Sequence, residues 1–424
     1  MYAKDWLMKR CTSLIILFLC SLVLACGISA RVRSGIEVLR DRGFDCLRGL
    51  RVGLVTNPSG VDSDLKSTID ILFEAPEVNL VALYGPEHGV RGDVYAGGKV
   101  SDSIDPATGL KVWSLYGSTR KPTPQMLEGV DVMVYDIQDV GVRSYTFIST
   151  LGLVMEACAE KGIGVVVLDR PNPLGGNKIE GCYVELPFNS FVSQYKIPYI
   201  YGLTPGELAL LINEEGLNRG QKGENKPCRC DLTVVPMEGW TRDMVYAGTG
   251  LPWVLPSPNI PFSDTPMYYA SAGICGELYG FMNIGVGYTL PFQLFGAEWI
   301  DPDDFKAKME SYCLPGVAFR TIWYKPFSGS LAGKLVKGLQ YFFTDYDQAR
   351  LTEIQFYVIQ AVAELYPEKK AFEIISGYGL FDKVCGTDYI RKTLSQSYRV
   401  SDIIDYWRRD EDAFRALSSK YYLY

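Results

Sequence analysis

Four segments of this chain are apolar on successive residues rather than on alternate ones, and each stops at a polar cluster. Arg51–Thr56 gives way to Asn57-Pro58-Ser59-Gly60, and residues 78–84 to Gly85-Pro86-Glu87-His88. Residues 130–135 run into Asp136-Ile137-Gln138-Asp139, and residues 163–168 into Asp169-Arg170-Pro171-Asn172. Short runs of this kind, closed by breakers, read as strands buried on both faces, which requires helices packed on both sides of a parallel sheet. Helical stretches lie between them. Residues 65–73 suit a helix, and residues 144–161 place Leu151, Val154, Met155 and Cys158 on one face before Lys161-Gly162 ends the turn. Thr204-Pro205-Gly206-Glu207 combines a cap, a proline at the first helical position and a glutamate three after the cap. The alternation predicts an α/β fold, a doubly wound, Rossmann-like sheet with right-handed crossovers.

A chain of 424 residues exceeds one ordinary core, so two domains are expected. The proline-rich stretch 251–261 marks the junction. It divides a Rossmann-like catalytic domain, 31–255, from a smaller α+β domain, 256–424, that completes the cleft. In the latter, residues 303–312 look helical, 317–324 strand-like, and 347–366 helical with Leu351, Ile354, Val358, Val362 and Leu365 on one face. Residues 1–30 read as a signal peptide, because Lys9-Arg10 precede an apolar run at 14–25 that is too short to span a bilayer comfortably. Val23-Leu24-Ala25-Cys26 resembles a lipoprotein cleavage site, with Cys26 as the lipid-bearing residue and a cut near Ala30 as the alternative. Export to the periplasm or anchorage at the outer membrane is therefore expected. A net charge of −7 argues against a nucleic-acid partner, which would need clustered cations.

The polar clusters hold the chemistry. In an open parallel sheet, ligands bind beyond the carboxyl ends of the strands. Four such ends here present Asn57, then Glu87, His88 and Arg91, then Asp136, Gln138, Asp139 and Arg143, then Asp169, Arg170 and Asn172. One such loop reads as a solvated turn; four at one sheet edge form a crevice. A single histidine in the chain leaves no multi-histidine metal site, and no GxSxG elbow or GxGxxG fingerprint occurs where it would be needed. No cofactor or metal is expected. What remains is general acid–base work by carboxyl groups on a hydroxyl-rich substrate, of which glycoside hydrolysis is the leading example.

Tyr-Gly-Pro-Glu-His-Gly-Val-Arg-Gly-Asp at 84–93, Tyr-Asp-Ile-Gln-Asp-Val-Gly-Val-Arg-Ser-Tyr-Thr at 135–146, Leu-Asp-Arg-Pro-Asn-Pro-Leu-Gly-Gly at 168–176 and Pro-Ser-Pro-Asn-Ile-Pro at 256–261 carry a family likeness. Through these motifs the chain resembles the NamZ-type exo-β-N-acetylmuramidases from about residue 34 to 424. The resemblance implies a Rossmann-like domain and a smaller one with the cleft between them. It also implies release of terminal β-1,4-linked N-acetylmuramic acid from the non-reducing end of peptidoglycan fragments, with Glu87 as catalytic residue. Many members of the family carry Arg-His-Gly-Met-Thr where this chain reads Ile200-Tyr201-Gly202-Leu203-Thr204, and Glu-Gly-Arg-Gly-Thr where it reads Gly285-Val286-Gly287-Tyr288-Thr289. These loops bear on sugar preference.

Residue by residue, Glu87 is the expected general acid, with Leu83, Tyr84 and Pro86 as an apolar shoulder that would raise its pKa; its structural alternative is an ion pair with Arg91. His88 would orient Glu87 or brace a tight turn. Asp136 and Asp139 compete for the role of second carboxylate, or brace Arg143. Arg143 and Arg170 are candidates to hold the lactyl carboxylate of muramic acid. Asn57, Arg91, Gln138, Tyr145, Asp169, Asn172 and Tyr201 are expected at the substrate, and Glu277 would close the cleft from the second domain. A non-catalytic muropeptide or sugar receptor is the competing function.

Overall fold

The computed structural model describes residues 31–92, 102–216, 229–375 and 377–424. The leader with Cys26, the Asp93 carboxylate that ends the first motif, and Cys228 lie outside the described residues.

Helix α1 (Gly35–Asp41) precedes β1 (Arg51–Thr56), α2 (Thr68–Glu74) and β2 (Asn79–Gly85). Then come β3 (Ser103–Ile104), β4 (Lys111–Ser114), β5 (Val132–Asp136), α3 (Phe147–Lys161), β6 (Gly164–Leu168), α4 (Pro205–Glu215) and β7 (Leu232–Val235). These strands form one sheet in the order β3-β4-β2-β1-β5-β6-β7, in which only the β3–β4 pairing is antiparallel. The chain steps outward from β1 to β2 and β4, then returns to add β5 on the other side of β1. The order thus reverses between β1 and β5, where an open sheet leaves a crevice.

Two-sided burial explains the unbroken apolar runs. Met133 and Tyr135 of β5 pack with α3 and α4, while Val132 and Val134 face the layer of α1 and α2. Helix α4 starts as its sequence predicts: the Thr204 side chain accepts from the Glu207 backbone and Glu207 reaches back to the Thr204 amide. Helix α3 starts at Phe147, three residues later than expected.

Beyond the connector, α5 (Thr265–Gly276), β8 (Leu294–Ala297), α6 (Pro302–Ser311), β9 (Val317–Tyr324), β10 (Val336–Phe343) and α7 (Ile354–Leu365) follow. The strands make an antiparallel sheet in the order β8-β10-β9. The helix expected at 347–366 is shorter, a 3-10 turn at Leu351–Glu353 leading into α7. The core of this part continues into Val140, Val142, Leu174, Cys182, Tyr199 and Ile200, which belong to loops above the first sheet. The connector crosses the carboxyl edge of that sheet, where the Asn57 side chain donates to the Pro256 carbonyl.

The last described residues return to the first sheet. Tyr421 donates to Glu215, the Leu423 amide to Glu207, and the Tyr424 hydroxyl to Asp169 at 2.7 Å while accepting from the Met237 amide. The Arg242 guanidinium lies 3.4 Å from the centre of the Tyr422 ring.

Candidate active site

Glu87 stands just past β2 in a tight turn. The Gly89 amide donates to the Pro86 carbonyl at 3.0 Å, and His88 and Gly89 both take left-handed backbone (φ +75° and +76°). A non-glycine residue in that region costs on the order of 1–3 kcal/mol, so the buried His88 is held there by its surroundings. The turn presents Glu87 half-buried. Its carboxylate accepts from the Thr146 hydroxyl at 3.1 Å, and its charge reaches Tyr116, whose hydroxyl is pushed up to about 12 by burial first and by Glu87 second. The shielding does not come from the expected shoulder, because Leu83 and Tyr84 turn into opposite layers of the core.

Thr146 occupies the N-cap position of α3, yet its side chain makes no capping bond. The hydroxyl that would satisfy the helix amides is turned to Glu87 instead. Thr146→Val is therefore expected to leave thermal stability nearly unchanged, where an ordinary cap loss costs about 1 kcal/mol. It should lower kcat roughly tenfold, the scale of one lost hydrogen bond to a charged group. Paired melting and rate measurements check this.

The two aspartates of the β5 loop have different fates. Asp136 is wholly buried; Arg170 contacts both of its oxygens, and Thr68 donates to one of them. Held in this ion pair, Asp136 is not free to act as the second carboxylate; Arg170 also donates to the Val61 carbonyl and lines a small cavity with Ser59, Gln138 and Tyr246. Asp139 is different. One oxygen accepts from the Gly141 amide at 2.7 Å and from the Tyr201 hydroxyl; the other is buried without a partner. Burial pushes this carboxyl up to about 6, against the pull of its donors.

That shift has a stability consequence. Between the ordinary 3.8 and about 6 the unfolded chain releases a proton that folded Asp139 keeps, so its contribution falls as pH rises and levels off above 6. The two values differ by enough for about 2–3 kcal/mol. Asp139→Asn should gain that much relative to wild type between pH 4 and pH 7.5, read from urea melts at both.

Glu87 and Asp139 share neighbours. Tyr145 and Tyr269, 5.8 Å apart between ring centres, are raised first by burial, and each feels the charges of both Glu87 and Asp139. Tyr269, which belongs to α5, also feels Glu277 at the end of the same helix. Glu277 follows α5, is pushed upward by burial, and has one buried oxygen without a partner. Ser144 is 2.9 Å from the Tyr269 hydroxyl, and Ser257 of the connector is beside Tyr145. Glu87 and Asp139 thus act on the same pair of tyrosines, and Glu277 on one of them.

Other expected ligands are committed to the framework. Arg143 is fully buried and donates to the carbonyls of Cys182, Ile197, Val384 and Cys385, so it does not hold a substrate carboxylate and neither aspartate braces it. Arg91 forks onto Asp105 at 2.9 and 3.0 Å rather than onto Glu87 or substrate. Asp169 accepts from Thr204, the Gly206 amide and Tyr424, and Asn172 ties the Leu174 amide to the Leu203 carbonyl. Asn57 holds Ser59 and the connector; Gln138 is only half committed, its amide nitrogen donating to the Asp139 and Pro171 carbonyls while its oxygen is buried without a partner beside a small cavity. Tyr201 reaches the site only through Asp139. Tyr116, Thr146, Ser257 and Tyr269 were not singled out by sequence. Of these, only Thr146 and Ser257 lie inside quoted motifs, and no local pattern marks the other two. Among the described residues no group of three or more His, Cys, Asp or Glu is arranged to hold a metal ion.

Comparison with known proteins agrees across the chain. Residues 52–264 match the N-terminal model of exo-beta-N-acetylmuramidase NamZ, and residues 267–424 match the C-terminal one. The peptidoglycan beta-N-acetylmuramidase NamZ of Bacillus subtilis (strain 168) is 43% identical over 394 residues, spanning 93% of this chain and 92% of that protein. Two crystal structures of DUF1343 family proteins from Bacteroides fragilis NCTC 9343 superpose on the fold. One is 53% identical with a TM-score of 0.88, the other 28% identical with a TM-score of 0.72; each alignment covers 93% of this chain and 99% of the other.

Proposed function

The chain belongs to the exo-β-N-acetylmuramidase NamZ family, and we propose that Glu87 is the proton donor of its reaction. The protein is a glycoside hydrolase, an exo-acting β-N-acetylmuramidase of peptidoglycan. The bond it opens is the β-1,4 link of a terminal N-acetylmuramic acid at the non-reducing end. Glu87 protonates the bridging oxygen as the bond from the anomeric carbon breaks, so the sugar on the reducing side leaves as an alcohol; the oxygen of a water molecule ends on the anomeric carbon and one of its protons restores the acid form of Glu87. Thr146 fixes the carboxyl group in place. The spare oxygen of Asp139 accepts a hydrogen bond from the bound sugar and holds the anomeric centre against Glu87. Glu277 closes the pocket from the second domain.

One observation carries this reading: Glu87 is half-buried past β2, one strand from the switch point, it is held by Thr146 from the loop after β5, and its charge meets that of Asp139 at the same two tyrosines. The test is incubation with disaccharides ending in N-acetylmuramic acid or in N-acetylglucosamine, followed by mass analysis. Release of the terminal sugar from the first is expected; tight binding with no turnover would turn the protein into a receptor. The apolar leader supports a further proposal, that the enzyme is exported and works in the periplasm or from a lipid on Cys26.

A further inference from the structure

N-acetylmuramic acid differs from N-acetylglucosamine by a lactyl ether that ends in a carboxylate. An unpaired cation is the most direct way for a site to tell them apart. The arginines nearest the pocket in sequence are spent: Arg91 on Asp105, Arg143 on four carbonyls, Arg170 on Asp136 and Val61.

Arg120 is not. It is exposed, and among the described residues it makes no ion pair or hydrogen bond. Two independent paths bring it to Glu87. The first runs through β4, whose end is bonded to the end of β2 by the Leu115 amide and the Gly85 carbonyl at 2.8 Å. The loop beyond β4 carries Tyr116, whose hydroxyl feels the charges of both Glu87 and Arg120. The second runs through Phe191. The Arg120 guanidinium lies over its ring, 4.2 Å from the centre, and the Phe191 carbonyl accepts from Ser149 at 2.7 Å. Ser149 is in the first turn of α3, next to the Thr146 that holds Glu87. Resting over a ring uses no hydrogen bond of the guanidinium, so its N–H groups remain available to a carboxylate, which they can meet with two parallel hydrogen bonds.

We propose that Arg120, stacked on Phe191 beside the Tyr116–Glu87 pair, binds the lactyl carboxylate of the terminal muramic acid and sets the preference for that sugar. This assignment rests on the hydrolase reading above and adds the group that reads the substrate's acid.

The test compares two glycosides of N-acetylmuramic acid, one with the free lactyl acid and one with its neutral primary amide. Wild type should favour the acid in kcat/KM by about 10- to 100-fold, the scale of a charge-assisted pair. Arg120→Ala should erase the preference by slowing the acid substrate alone, mainly through KM, and Arg120→Lys should restore part of it. Melting curves matching wild type are expected, since the side chain is exposed. Equal loss on both substrates, or an acid preference that survives Arg120→Ala, would overturn the assignment. No turnover of either glycoside by wild type would instead sink the hydrolase reading itself.

Discussion

Glu87→Gln is expected to lower kcat by about 10²–10⁴-fold while the protein melts at the wild-type temperature. Glutamine keeps the shape and can still accept from Thr146, so the turn and its neighbours are undisturbed. What it cannot do is release a proton to the bridging oxygen. The defect should therefore depend on the leaving group. A glycoside of a strongly acidic phenol departs without protonation, and on it the variant should recover most of the lost rate. A defect of the same size on both substrates would assign Glu87 to the anomeric carbon instead. Full activity on the natural disaccharide would remove it from the chemistry.

The largest effect on stability is expected at Arg143. Arg143→Ala leaves the Cys182, Ile197, Val384 and Cys385 carbonyls without their donor in a fully buried place. An unmet buried polar group costs about 1–3 kcal/mol, and the emptied volume adds a cavity term, so a loss above about 4 kcal/mol is expected. Two of those carbonyls end the helix Gly379–Cys385, where a cation also meets the negative end of the helix dipole. Arg143→Lys should recover little, because an ammonium group has three donors and no planar fork. Calorimetry decides the matter. A stable Arg143→Ala protein with a raised KM would return this residue to the substrate.

The parts of this fold that sequence exposes are those set by local pattern. β1, β2, β5 and β6 announce themselves because burial on both faces leaves no polar position to break the run. Thr204 and Glu207 mark a helix start because both halves of the cap lie within four residues. β7 has four residues and one fully buried position, and α5 is so evenly buried that no face stands out. Neither leaves a period to read.

The site follows the same division. Position at the strand ends is local, and the loops carrying Glu87 and Asp139 were found by it. Commitment is not local. Asp136 and Asp139 are three residues apart in one loop, and only Thr68 and Arg170, from elsewhere in the chain, decide that the first is spent. Arg143 reads as a ligand until the distant Val384 and Cys385 carbonyls are placed beside it. The reaction itself was legible through the long motifs shared with the family, not through composition.

The return of Tyr421, Leu423 and Tyr424 to the first sheet bears on how such a chain can be recombined. A crossover at the proline-rich junction would look harmless on a linear map, since the two sheets lie on either side of it. It would nevertheless separate Asp169 and Glu207 from the tyrosine hydroxyl and backbone amide that answer them. Chimeras joined there should express poorly unless both parents agree at Glu215, Asp169 and the two tyrosines that answer them.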